Sequence, residues 1–136
     1  MNEKLIKIKN ELDKMGFVKD GLIAFGQTKM SGTFGGGLLG ALIANAVAEK
    51  FAIVKLNDKI MIIPYEETKV YYDKTISYEK SNIKKAKVSG DGAFIYRKLK
   101  IWTNDGKKHK YFITEGKKQV NEMLNQLGLN LKKEKK

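Results

Sequence analysis

The stretch LKIWTNDGKKHKYFITEGKKQVNEMLNQLG, residues 99–128, decides the fold. Two strand-like runs, 94–103 and 108–114, meet across Asn104-Asp105-Gly106-Lys107. Asp-Gly between two alternating runs signals a hairpin, because tight turns need left-handed backbone that Gly and Asp tolerate. After Thr114 the period changes. Val120, Met123, Leu124 and Leu127 fall at i, i+3, i+4 and i+7, which predicts a helix over 117–127 with one apolar face, ended by Gly128.

Working upstream, 51–56 and 59–63 flank Asn57-Asp58, a two-residue loop suited to a second hairpin, and Pro64 is expected to end or edge its second strand. Further strand candidates are 22–29, 70–72, 76–78 and 83–89, the last closed by Gly90-Asp91-Gly92. Near the start, Leu5, Ile8, Leu12 and Met15 recur at helical spacing before Gly16, which predicts a short amphipathic helix over 3–15. Residues 130–136 form a charged tail. There is no internal repeat and no Pro/Ser-rich linker, so 1–136 reads as one domain. The expected class is α+β: a bent antiparallel sheet or partial barrel of six or seven strands, closed by a C-terminal amphipathic helix. An N-terminal helix and a Gly/Ala-rich helical insertion over 34–48 complete the expectation.

This order of elements resembles small bacterial pleckstrin-homology-like (PH-like or GRAM-like) domains over about residues 51–128. The resemblance is carried by FAIVKLNDKIMIIPY at 51–65, by ISYEKSNIKKAKVS at 76–89 and by the hairpin and helix at 99–128. In such domains a short polar lead-in ending at an Ile, as from Tyr78 to Ile83, precedes a central strand. The resemblance implies a bent sheet whose open end is plugged by the last helix. It does not carry phosphoinositide binding across. The loop between the first two strands, which holds the basic motif in lipid-binding members, has no Lys or Arg between Met30 and Glu49.

Composition narrows the function. The 136 residues hold 27 Lys+Arg against 15 Asp+Glu, a formal charge of +12, and Arg97 is the single arginine. With 42 % hydrophobic residues the chain has enough to build a core, so wholesale disorder is excluded. The absence of Cys rules out disulfides, thiolate nucleophiles and Cys-based metal sites. The N-terminus lacks the apolar core of a signal peptide, so the expected address is cytoplasmic, with peripheral contact to a membrane as a variant.

Summed by segment, the charge is +2 over 1–31, zero over 32–72, +7 over 73–114 and +3 over 115–136. The excess therefore belongs to the last three strands. Alternation puts Leu99 and Ile101 inward and Tyr96, Lys98, Lys100 and Trp102 outward, with Ala86 and Val88 inward and Lys85 and Lys87 outward. Tyr111, Phe112 and Ile113 are consecutive and leave the last strand ambiguous, but Lys108 and Lys110 share a face and belong outside as polar residues. These eight residues, Lys85, Lys87, Tyr96, Lys98, Lys100, Trp102, Lys108 and Lys110, are the candidate anion- or partner-binding face. Such a basic face with two aromatics among its lysines attracts nucleic acid, anionic lipid or an acidic protein. A solvated sheet face is also often lysine-rich simply to deter edge pairing. The scarcity of Arg argues against bidentate phosphate or base reading.

The second candidate is apolar. FGGGLLGALIANAVA, 34–48, carries no charge, and Gly36, Gly40, Ala44 and Ala48 would line one side of a helix, the pattern that lets backbones approach closely. Such a helix is expected to bury in the core, to self-associate or to touch a bilayer. As for chemistry, GTFGGGLLG lacks the Lys-Ser/Thr of a phosphate loop, and His109 has no metal-ligating neighbour in sequence. No catalytic residue, metal site or cofactor is expected. The leading expectation is a non-enzymatic adaptor acting through protein–protein contacts, self-associating through 34–48. Peripheral binding to anionic lipid through the basic face and the apolar segment is the alternative, and weak nucleic-acid binding the third.

Overall fold

The two uninterrupted apolar runs FAIV, 51–54, and IMII, 60–63, lie side by side on paired strands. The structure, a computed structural model, describes residues 3–19, 21–27, 50–89 and 97–129. Helix α1 (Glu3–Lys14) leads into β1 (Ile23–Gln27), and the strands β2 (Lys50–Leu56) and β3 (Lys59–Glu66) form the first hairpin. Asn57 takes the left-handed conformation in its turn, at φ 56°. Then follow the two-residue β4 (Lys69–Val70), β5 (Ile76–Glu79), β6 (Ile83–Ser89), β7 (Arg97–Thr103), β8 (Lys108–Glu115) and α2 (Lys117–Gln126).

All pairings are antiparallel. The order across the sheet is β4-β3-β2-β1-β8-β7-β6, with β5 also pairing with β3. Thus β5 and β6 lie at opposite ends of the pairing order, yet only Lys80–Asn82 separate them. Six strand intervals laid flat would span about 29 Å at ~4.8 Å each. The chain from Glu79 to Ile83 reaches at most about 14 Å. The sheet must therefore curl until its edges approach. Tyr78 on β5 accordingly meets Tyr111 on β8 across the interior, hydroxyl to hydroxyl, with ring centroids 6.2 Å apart.

Curling creates an inside and an outside, and both are used. Inside, Ile53, Ile60, Leu99 and Ile101 pack against Val120, Met123 and Leu124 of α2. Outside, Ile8 and Leu12 of α1 lie on Phe25, Val54, Met61 and Ile63. Strands β2 and β3 are thus covered on both faces, which is why their sequences run apolar without alternation. Tyr72 ties α1 down by donating its hydroxyl to Glu11 Oε2 at 2.9 Å. Its pKa is pushed up to about 12 by burial first and by this bond second.

Two glycines hold the joint between the halves. At Gly26, where the β1–β8 register shifts, a Cβ would collide with the Phe112 carbonyl oxygen and lie 2.8 Å from Phe51 Cε1. At Gly116, φ is +92° and a Cβ would lie 2.8 Å from the Ala24 Cβ. β1 can touch β8 and the start of α2 only because neither residue has a side chain.

Several expectations need correction. Among the described residues the sheet has seven strands on its main path, the upper end of the expected six or seven, and β5 adds an eighth beside β3. Pro64 does not end β3 but sits at an unpaired stretch of its outer side, the edge half of the expectation. It sits between the part of β3 paired with β5, up to Ile62, and the part paired with β4, from Tyr65, so its missing N–H falls in a gap. Its carbonyl still accepts from Tyr71 N at 2.9 Å. Tyr72 belongs to a 3-10 turn (Tyr72–Lys74), not to a strand. Met15 leaves the apolar face of α1 and is 54 % exposed, because the helix ends at Lys14 and Gly16 turns the chain at φ +86°. The Gly/Ala-rich segment 34–48, Tyr96 and the tail 130–136 lie outside the described residues.

Candidate functional site: a lysine grid on β6–β8

The turn at 104–107 sets the register of the site. Asp105 Oδ1 accepts from Thr103 Oγ1 at 2.5 Å and from Lys107 N at 3.1 Å, and Gly106 takes φ +88°. These bonds hold the Asp105 carboxyl below its usual pKa, the Thr103 hydroxyl contributing most. With the turn fixed, β7 and β8 cannot slip, and a one-residue slip would swing the lysines into the core. On the other side, a bulge between Ile83 and Lys85 lets Ile83 point inward while Lys85 pairs with Trp102 on the outer face.

The result is a three-by-three array. Its rows across β6, β7 and β8 are Lys85–Trp102–Lys108, Lys87–Lys100–Lys110 and Ser89–Lys98–Phe112. Neighbouring positions are about 4.8 Å apart across strands and about 6.7 Å along them, so the backbone patch measures about 10 by 13 Å. The alternate residues Ala86, Leu99, Ile101, Tyr111 and Ile113 are buried in the inner core. Lys85, Lys87, Lys108 and Lys110 are exposed, whereas Lys98, Lys100, Trp102 and Phe112 are half-buried.

Cations lie over the rings. Lys85 Nζ is 4.6 Å and Lys108 Nζ 5.4 Å from the Trp102 ring centroid, and Lys98 Nζ is 5.6 Å from that of Phe112. These contacts anchor the chains without neutralising them. Lys100 occupies the centre. Desolvation first, then repulsion from Lys108, Lys98, Lys87 and Lys110, lowers its pKa from the usual lysine value. Among the described residues, ion pairs form at Lys4–Glu67 (3.0 Å) and Lys59–Glu79 (4.0 Å), and none involves the six lysines of the array. This is a concentrated positive surface with no carboxylate partner among the described residues.

Of the residues singled out in the sequence, Lys85, Lys87, Lys98, Lys100, Trp102, Lys108 and Lys110 come together on adjacent strands, facing the same way. Tyr96 lies outside the described residues, as do Gly36, Gly40, Ala44 and Ala48. Phe112 is the member that sequence reasoning left undecided. Three consecutive apolar residues carry no period, and only the pairing of Lys98 with Phe112 assigns it to the outer face.

Beyond Phe112 the third row continues to Gln27 on β1 and Lys50 on β2. There a cavity of about 190 Å³ opens beside the start of α1, lined in part by Lys4, Gln27, Lys50, Glu67 and Thr114. It is smaller than a typical small-molecule pocket of about 300–1,000 Å³. The turn also brings Thr103, Asp105 and His109 together, with His109 Nε2 at 3.4 Å from Thr103 Oγ1. Thr103 is only 3 % exposed and its hydroxyl bonds the Asp105 carboxylate, so the trio locks a turn and offers no accessible nucleophile. Among the described residues, no group of three or more His, Cys, Asp or Glu could hold a metal, and no helix is long and apolar enough to cross a membrane.

No protein-family model matches this chain, and no curated protein matches it.

Proposed function

We propose that this chain is a non-enzymatic binding domain of pleckstrin-homology-like architecture that adsorbs to anionic membrane surfaces through the outer face of β6–β8. The architecture is supported by the curled antiparallel sheet ordered β4-β3-β2-β1-β8-β7-β6 and followed by a core-plugging helix. The binding mode rests on one observation above the others. Lys87, Lys100 and Lys110 stand abreast in a single row, with no carboxylate to neutralise them among the described residues.

A bilayer fits this surface better than a folded protein does. Protein interfaces are depleted in Lys and depend on Arg, Tyr and Trp anchors. The array offers six lysines over a small patch. Each lysine near an anionic leaflet contributes about 1 kcal/mol, so six give about 6 kcal/mol, a dissociation constant of roughly 10⁻⁵–10⁻⁴ M. The amphipathic Trp102 ring suits the headgroup level. The negatively charged cytoplasmic leaflet is the natural counterpart.

A second reading, an adaptor docking on an acidic protein, is favoured by the clamp on Trp102, whose ring has the Lys85 and Lys108 ammonium groups against it. That clamp also hinders stacking on nucleic-acid bases. Co-sedimentation separates the readings. The membrane reading predicts binding to phosphatidylserine-containing vesicles at low salt, none to pure phosphatidylcholine, and release by a soluble acidic polypeptide only at large excess. Absence of binding to the anionic vesicles, with tight binding to the polypeptide, would overturn it in favour of the adaptor.

A further inference from the structure

The centre of the array has a chemical property distinct from that of its rim. Lys100 faces Lys87 on one neighbouring strand and Lys110 on the other, with Lys98 two residues along its own strand and Lys108 on the diagonal. No acidic side chain faces it from β6, β7 or β8. Four ammonium groups therefore surround a fifth that is half-buried.

We propose that Lys100 is an acylation site, modified in preference to other lysines of this chain by phosphate-bearing acyl donors such as acyl phosphates and acyl-coenzyme A. Three effects act together. The surrounding cations concentrate a polyanionic donor at the centre of the patch, where the potential of the five lysines is greatest. Repulsion and partial desolvation favour the neutral amine, the only form that attacks a carbonyl carbon. Charge developing on the leaving phosphate or thiolate forms where Lys87, Lys98, Lys108 and Lys110 can stabilise it.

The reaction is a plain acyl transfer. The Lys100 nitrogen bonds to the acyl carbon, and the bond from that carbon to the phosphate oxygen, or to the thiol sulfur, breaks. Inorganic phosphate or free coenzyme A leaves, and the ammonium proton passes to water. No oxidant or metal takes part. The product is an uncharged amide, which relieves repulsion at the centre of the array. Where the membrane reading of this face holds, and resting on that reading, acylation removes one of six adsorbing charges and weakens vesicle binding about fivefold.

The test uses the intact chain and acetyl phosphate, with no vesicle present, so its outcome is independent of membrane binding. Site occupancy is followed at early times by peptide mass spectrometry. Lys100 is expected to acetylate about tenfold faster than the exposed Lys7 and Lys14 of α1. That preference should shrink in about 1 M salt, where the Debye length falls to about 3 Å. It should also shrink in the double variant Lys87→Gln/Lys110→Gln, checked for folding by circular dichroism. Equal rates at Lys100 and Lys7 would overturn the assignment. A preference unchanged by salt or by the double variant would overturn the role of the surrounding lysines.

Discussion

Replacing Gly26 by Ala tests how the sheet closes. Gly26 lies in β1 between its two neighbours, opposite Phe51 on β2 and Ile113 on β8. The new methyl group would overlap the Phe112 carbonyl oxygen and stand 2.8 Å from Phe51 Cε1. A phenylalanine ring can tilt away, but a backbone carbonyl moves only if β1 and β8 separate. Overpacking a tight site costs about 1–3 kcal/mol. Parting β1 from β8 there would break about two backbone hydrogen bonds, at about 1 kcal/mol each. The smaller entropy of an unfolded Ala returns at most about 1 kcal/mol. The expected loss is therefore about 2–5 kcal/mol, a large share of the 5–15 kcal/mol available to an ordinary domain. Gly106→Ala is the control, because its φ is +88° but no atom lies within 4 Å of the added carbon. It should cost only the left-handed penalty of about 1–2 kcal/mol. Urea unfolding followed by circular dichroism measures both. A Gly26→Ala variant no less stable than Gly106→Ala would refute the reasoning that this close approach joins the two halves of the sheet.

Two further outcomes follow from the packing. Leu12 is fully buried between α1 and the outer face of β1–β3, so Leu12→Ala should lose about 2–5 kcal/mol in urea unfolding. A loss below 1 kcal/mol would mean that α1 is not docked as described. Alkaline pH should also destabilise the fold. Burial pushes Tyr65 up to about 12, and Tyr72 to about 12 as well, while Tyr78 and Tyr111 are also raised, chiefly by burial. Above about pH 10 the unfolded tyrosines release protons that the folded ones keep, so stability is full below that value and falls as pH rises through the folded pKa values. Lys100, with a lowered pKa, acts oppositely between its folded value and the unfolded value of about 10.4, but it is one group against four. The urea midpoint should therefore fall between about pH 9 and about pH 11, and less steeply in Tyr65→Phe. A flat profile would contradict the burial of these phenols.

How far the sequence carried the structure depended on whether its signal was local. Asn57-Asp58 and Asp105-Gly106 specify their turns by backbone preference alone, and both hairpins form there. Alternation in KLKIWT separated the core from the surface on β7, because one face is apolar and the other solvated. Where both faces are covered, as on β2 and β3, alternation vanishes, and the runs FAIV and IMII could not reveal that α1 occupies the outer side. Periodicity identified α1 as a helix but held no information on its docking site. The three-residue link between β5 and β6 is equally legible in sequence, yet its meaning appears only when the two strands are found at opposite edges. The lysine face was visible as a charge sum and an alternation. Its rows, its central Lys100 and the place of Phe112 depend on cross-strand register, which the Asp105 turn and the bulge after Ile83 fix.

The central claim is that the array, and not the net charge of the molecule, meets an anionic membrane. It is tested most directly by comparing two triple variants of equal charge in phosphatidylserine vesicle co-sedimentation. Lys87→Gln/Lys100→Gln/Lys110→Gln removes the middle row, whereas Lys7→Gln/Lys14→Gln/Lys117→Gln removes three exposed lysines from the two helices. At about 1 kcal/mol per contacting lysine, the first should lose about 150-fold in partition coefficient, and the second only a few-fold. Equal losses in the two variants would contradict the account.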